Sequence, residues 1–448
     1  MLRAEAQSPG IRPPGLGSPG LRSSGLPSSG LPSSPAQSPP VPSPPAQSPA
    51  TSQRAAVRRS GGALGLLGPG WAELAFWLLF PGFFAYQTLL GLGIIRAYLG
   101  GYFAWVSLLM LPPLLLSYLL RLRVTGYRIH RVDAAWLAFL SYYAAIIVVH
   151  LGQAGAGASG HHALGLLYMF LLFVIFKSLD FTHPRFQRTL LISLLAMSAV
   201  VFAFSVDGTF YLAALGAARD PESVATYQGF SRSYVLPIAV LLACTRRAPL
   251  RWALYALGLP TLYINTARSE FGALLLLIPL FELHAARSRL AMLGAMVAVL
   301  ALLQLNLDTL VAAVPGNRTL ELLDLSHSTS ASARHELTVQ ALRTIADHPI
   351  LGDYASYPSG RYAHNILSAW VDLGLPGFAA LLALLTYPLL QLAIHGYLYG
   401  GRSSRDHRYL LAWSLLAMTL LLLCMSHFFS DMLIGAALGA YARYRSGD

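Results

Sequence analysis

Apolar runs recur between short polar breaks from Ala63 onward in this 448-residue chain, and that pattern restricts the fold more than any other feature. A helix of about 20 apolar residues rises about 30 Å, the thickness of a bilayer's hydrocarbon core. Runs at 71–95, 101–120, 133–151, 163–179, 188–206, 232–245, 251–266, 269–284, 289–305, 366–394, 409–428 and 431–443 predict an all-α polytopic membrane protein of about twelve transmembrane helices. The sixth, eighth and twelfth are short for full crossings, so tilted, broken or partly re-entrant segments are expected there. The chain is 55% apolar and only 11% charged, with a mean hydropathy of +0.55. That is too little polar surface to cover a core in water.

The net charge is +12, from 31 basic against 19 acidic residues. These cations are scattered between apolar runs and form no basic stripe with interleaved aromatics, which sets nucleic-acid binding aside. They mark alternate breaks instead: Arg121, Arg123, Arg128 and Arg131; Lys177, Arg185 and Arg188; Arg246, Arg247 and Arg251; Arg287 and Arg289; Arg402, Arg405 and Arg408. With Arg54, Arg58 and Arg59 before the first span and Arg443 and Arg445 after the last, the positive-inside rule places both termini in the cytoplasm. Cys244 and Cys424 form no C-x-x-C and read as small buried hydrophobes.

Residues 1–62 are Ser/Pro/Gly-rich, with two copies of Pro-Ala-Gln-Ser-Pro. Such a segment lacks the apolar side chains to offset ordering entropy and reads as a disordered cytoplasmic tail ahead of a transmembrane domain over 63–448. No basic start followed by an apolar stretch marks a secretory leader.

The outward breaks are mostly poor in charge, with two exceptions, 207–231 and a long insertion at 306–365. A connection of that length is a candidate functional loop. Within it Ser332 to Asp347 predicts an amphipathic helix with Leu337, Ala341, Leu342 and Ile345 on one stripe, stopped by His348-Pro349. Glu336 and Arg343 share another face and read as a solvated pair. The few outward arginines run against the positive-inside bias. Arg232 and Arg268 sit at span ends, where they either snorkel to headgroups or face the bundle interior as paired donors to phosphate oxygens. The alternative for Arg268 is simple neutralisation by Glu270. His364, where the long loop returns to the membrane, is a candidate general base as a neutral imidazole. His161 and His162 read as solvated turn residues, as do His327 and His335. Asp353, Asp372 and Asp431 are scattered and form no glycosidase-like pair, though each is an alternative base.

The stretch Arg334 to Gly377 carries Ala346-Asp347-His348-Pro349-Ile350-Leu351-Gly352, then His364-Asn365, then Asp372-Leu373-Gly374-Leu375-Pro376-Gly377. It resembles the O-antigen ligase/polymerase superfamily, whose members have an "hPllG" turn in a long periplasmic loop, "HN" where the loop ends and "GlpG" in the next helix. Thr266-Ala267-Arg268-Ser269-Glu270 is similar to the family's "SRg" segment, with Ala-Arg-Ser-Glu in place of Ser-Arg-Gly. The resemblance covers roughly 225–395.

It implies a GT-C-like membrane glycosyltransferase of the bacterial inner membrane. The enzyme would move glycan at the periplasmic face from an undecaprenyl-diphosphate carrier to an acceptor such as lipid A–core, without a metal or other cofactor. It also implies catalytic roles for Arg232, Arg268 and His364, with Arg334, Asn365 and Arg361 binding substrate. Ligase and repeat-unit polymerase remain alternatives within the family. Outside it stands a lipid-linked oligosaccharide flippase or other transporter, although no repeat relates the two halves of the chain, as such folds usually show.

Overall fold

The computed structural model describes residues 70–96, 101–124, 129–152, 156–206, 208–210, 212, 227–286, 288–305, 329–358, 360–398 and 406–446. All fall in one compact unit, Ser60–Asp448. The tail at 1–62, His327 and the first part of the long insertion, 306–328, lie outside the described residues, as do Arg128, Arg287, Arg402 and Arg405.

Each apolar run is a helix. They are α1 (Gly70–Gly91), α2 (Tyr102–Val124), α3 (Arg131–Val149), α4 (Ala156–Ser178), α5 (Pro184–Ala203), α6 (Tyr227–Cys244), α7 (Ala248–Ile264), α8 (Arg268–Ala285), α9 (Arg289–Leu305), α11 (Ser368–Ala393), α12 (His407–Met425) and α13 (Leu433–Arg445). The helix expected in the long loop is α10 (Thr329–Asp347). Seven helices, α1 to α5, α11 and α12, are long and apolar enough to cross a membrane, and α6 and α9 carry shorter apolar segments. One two-residue hairpin that the sequence pattern did not announce, β1 (Ser205–Val206) with β2 (Thr209–Phe210), follows α5.

The shortest helix is central. In α13 every residue from Leu433 to Ala442 is buried, and Gly435 and Gly439 face α4, where a β-carbon at either would collide with the carbonyl of Met169 or Phe173. Two glycines four apart let the backbones approach closely, the usual device of helix packing in lipid. Asp133 of α3 and Lys177 of α4 are both fully buried and 2.9 Å apart, and Arg251 of α7 grips both oxygens of Glu282 on α8 at 2.8 Å. Lys177 and Arg251 therefore carry paired charges inside the bundle and are not free loop cations of the positive-inside pattern. A ring of hydroxyls, Ser198 to Tyr234 at 2.9 Å and Thr261 to Ser198 at 3.0 Å, joins α5, α6 and α7.

Two other expectations need correction. Cys244 is buried, but Cys424 is exposed on the outer face of α12. His161 and His162 are not in a turn, because α4 begins at Ala156. His162 is buried and 3.2 Å from the Tyr357 hydroxyl.

Candidate functional site

Three local irregularities shape the site. The first is in α1, where a π turn at Leu78–Gly82 contains Pro81. Proline has no N–H to bond the preceding turn, and Tyr102 of α2 donates to the Leu78 carbonyl at 3.2 Å. The turn presents Leu79, Phe80 and Phe83 to the cavity described below.

The second lies between α7 and α8. Thr266 has φ of +57°, an outlier for a β-branched residue and a conformation that clusters at functional sites. The helix axis breaks there, and Arg268 and Glu270 start α8 on the cavity wall.

The third is the kink at Gly374 inside α11, with φ of 66° and ψ of −176°. The turn after α10 packs into it: Leu375 N–H donates to Ile350 at 3.0 Å and Asp353 N–H to Val371 at 2.7 Å. The Trp370 indole donates to Pro349 at 2.7 Å, and Asp372 accepts from Ala355 N–H and the Tyr357 hydroxyl, both at 2.8 Å. Asp372 is thus a buried brace for the loop. Ala363, Ala341, Ile345 and Val371 form a small apolar cluster that pins the loop to α10. Ala341 and Ile345 face inward as expected, whereas Leu342, placed on the same stripe, is 50% exposed.

These devices enclose a cavity of about 420 Å³. Arg232 of α6, Arg268 of α8, Arg334 of α10 and His364 of the returning loop, from four separate elements, all line it. Asn365 and Arg361 do not. Asn365 donates to Thr338 at 3.1 Å and accepts from Leu367 N–H at 3.0 Å, bracing α10 against the start of α11. Arg361 is exposed and lines a separate pocket of about 170 Å³ beside Asp353 and Gln340.

Glu270, His427 and Asp431 line the cavity as well. Arg232 Nη2 is 2.9 Å from Asp431 Oδ2, and its Nε is 4.0 Å from Glu270 Oε1. Glu270, one of the two local acids here, faces Arg232 as well as His427 Nε2, at 3.7 Å. Arg232 Nε and His427 Nε2 make no hydrogen bond. The signal for His427 was its place at the end of the apolar run 409–428, where an ionisable side chain at a membrane boundary marks a candidate functional position; the structure puts it just past α12, which ends at Met425.

Burial pushes the Asp431 carboxyl up, but Arg232 and His427 outweigh it and hold the group below its ordinary range. Its Oδ1 also accepts from Leu433 N–H at 3.0 Å at the start of α13. With both oxygens engaged and little proton affinity, Asp431 is a poor base. Burial, opposed by Asp431 and assisted by Arg232, lowers His427 to about 4. His364 is lowered as well, first by burial and then by the Arg334 charge, so its imidazole is neutral at pH 7 and free to accept a proton. Its ring lies 4.6 Å from that of Tyr362.

Among the described residues no group of three or more His, Cys, Asp or Glu is placed to hold a metal ion. Fold and site together define a helical membrane protein with an arginine-lined cavity walled by a long loop. In sequence comparison no protein-family model matches this chain, and no curated protein does.

Proposed function

We propose that this protein is a membrane glycosyltransferase with about twelve crossings, transferring glycan from a polyprenyl-diphosphate carrier to an acceptor sugar hydroxyl at the periplasmic face of a bacterial inner membrane. The observation that supports this reading is the convergence of Arg232, Arg268, Arg334 and a half-buried, proton-accepting His364 on one cavity. The resemblance of 334–377 to the O-antigen ligase/polymerase superfamily gives the reading its donor class.

In the reaction the acceptor oxygen attacks the anomeric carbon as the bond from that carbon to the diphosphate oxygen breaks. The bonding pair leaves with the lipid diphosphate, and the acceptor's proton passes to His364. Attack opposite the leaving group inverts the anomeric centre. Charge grows on the diphosphate oxygens, and guanidinium donors aimed there lower the barrier. Arg268 and Arg334 supply that field. Arg232, held by Asp431, offers its remaining N–H groups from a fixed position.

The test is reconstitution in liposomes with an undecaprenyl-diphosphate-linked repeat unit, with and without lipid A–core. One-step product only when acceptor is present identifies a ligase, and a ladder from donor alone identifies a polymerase. No new glycosidic product from competent substrates would turn attention to transport.

A further inference from the structure

We infer a second ligand site, for an acidic phospholipid, in the groove between α3 and α11. This groove has a volume of about 660 Å³ and is separate from the arginine-lined cavity. Its α3 wall is the stripe 131, 132, 135, 138, 139 and 142, and its α11 wall the stripe 376, 380, 383, 384, 387 and 388. Both follow helical spacing, so each helix gives one continuous face. Ala135, Ala138, Ala380 and Ala383 line it where larger side chains would close it.

The two ends differ. At one, the Tyr142 hydroxyl donates across to the Leu373 carbonyl at 2.8 Å and closes the groove just before the Gly374 kink. At the other stand Arg131, exposed on the first turn of α3, and Tyr387, 54% exposed. The Tyr387 oxygen already accepts from Gln391 Nε2 at 2.6 Å, which leaves its own proton to donate.

The length and the charge select the occupant. The eleven steps of helix from 131 to 142 rise about 16 Å, close to the about 15 Å of half a hydrocarbon core. An apolar trough one leaflet deep, with a guanidinium and a phenol at its mouth, fits an acyl chain beneath a phosphate that both can grip. A second copy of the chain would have no use for a cation at one end of an otherwise apolar concavity.

The test is native mass spectrometry of the delipidated full chain in mild detergent, titrated with phosphatidylglycerol or with phosphatidylcholine of the same acyl chains. Phosphatidylglycerol adducts should exceed phosphatidylcholine adducts by about tenfold, the worth of a charge-assisted hydrogen bond. Ala138→Trp, which fills the trough, should abolish both adducts. Arg131→Gln should leave weak binding and remove the preference. Leu109→Trp, on the lipid-facing side of α2, should change nothing, and Ala383→Phe fills the same trough should Ala138→Trp not fold.

Equal binding of the two lipids, or wild-type adducts on both filled variants, would overturn the proposal. A filled variant that turns a dimer into a monomer while lipid binding is untouched would assign the groove to a second copy. Transfer activity is not read, so this result stands apart from the test of the transferase.

Discussion

Gly352 and Gly374 meet backbone to backbone: a β-carbon on Gly352 would strike the carbonyl of Val371, and one on Gly374 the carbonyl of Ile350. Both also hold positive φ, 71° and 66°, which side chains other than glycine adopt only at a cost. The two glycines are therefore one docking device that seats the loop carrying His364 on the kinked α11. Gly374→Ala should destabilise the protein by at least about 2 kcal/mol, read as a fall in the thermal midpoint in detergent. A wild-type midpoint would mean that the loop is held by other contacts.

Arg232 and Asp431 both line the cavity, but the arginine is the accessible member of the pair, its side chain 31% exposed against 4% for the carboxylate. Removing Arg232 leaves a buried carboxylate without its cation. Arg232→Ala should cost about 1 to 3 kcal/mol, less than a fully buried pair. Arg232→Ala with Asp431→Ala should cost less than the sum of the two single changes, and a double-mutant cycle measures the difference.

The proton on His364 is penalised by burial and repelled by Arg334, so transfer activity should hold as pH drops to the ordinary histidine range and fail below it. Arg334→Gln removes one of the two causes and raises the His364 pKa. The acid limb of the pH–rate profile should then move toward neutral pH. An unmoved limb would assign it to another group.

His427 takes its proton at about 4 in the folded protein and near 6.5 in an unfolded chain. Between those values the unfolded state binds more protons. Stability is therefore full above pH 6.5 and is lost as pH falls toward 4, by on the order of 3 kcal/mol. Thermal unfolding of His427→Gln against pH should show a shallower acid loss than wild type.

How much of this was legible in the sequence depends on what each feature rests on. Helix positions follow from apolar run length, a local property, so every run from 71 to 443 is a helix, and the stop at His348-Pro349 lies where α10 ends. Facing was less legible. Leu342 points out and His162 points in because burial is decided by neighbours far along the chain, such as Tyr357 on the loop. Spacing singled out Arg232, Arg268 and His364 as outward candidates, but the family's motif could not separate Asn365, a brace, from His364, its cavity-lining neighbour. The partners of Arg232 were illegible because they come from α8 and from the loop before α13, 38 and 199 residues away.

Glycan transfer in the arginine-lined cavity, with His364 as the proposed base, couples carrier release to bond formation. The most direct measurement follows undecaprenyl diphosphate released and glycosidic bonds formed, side by side, in liposomes bearing donor and acceptor, for wild type and His364→Ala. Wild type should show equal release and bond formation, and the variant a rate lower by about 10² or more. A variant as fast as wild type would remove His364 from the chemistry, and no release by wild type would contradict the transferase itself.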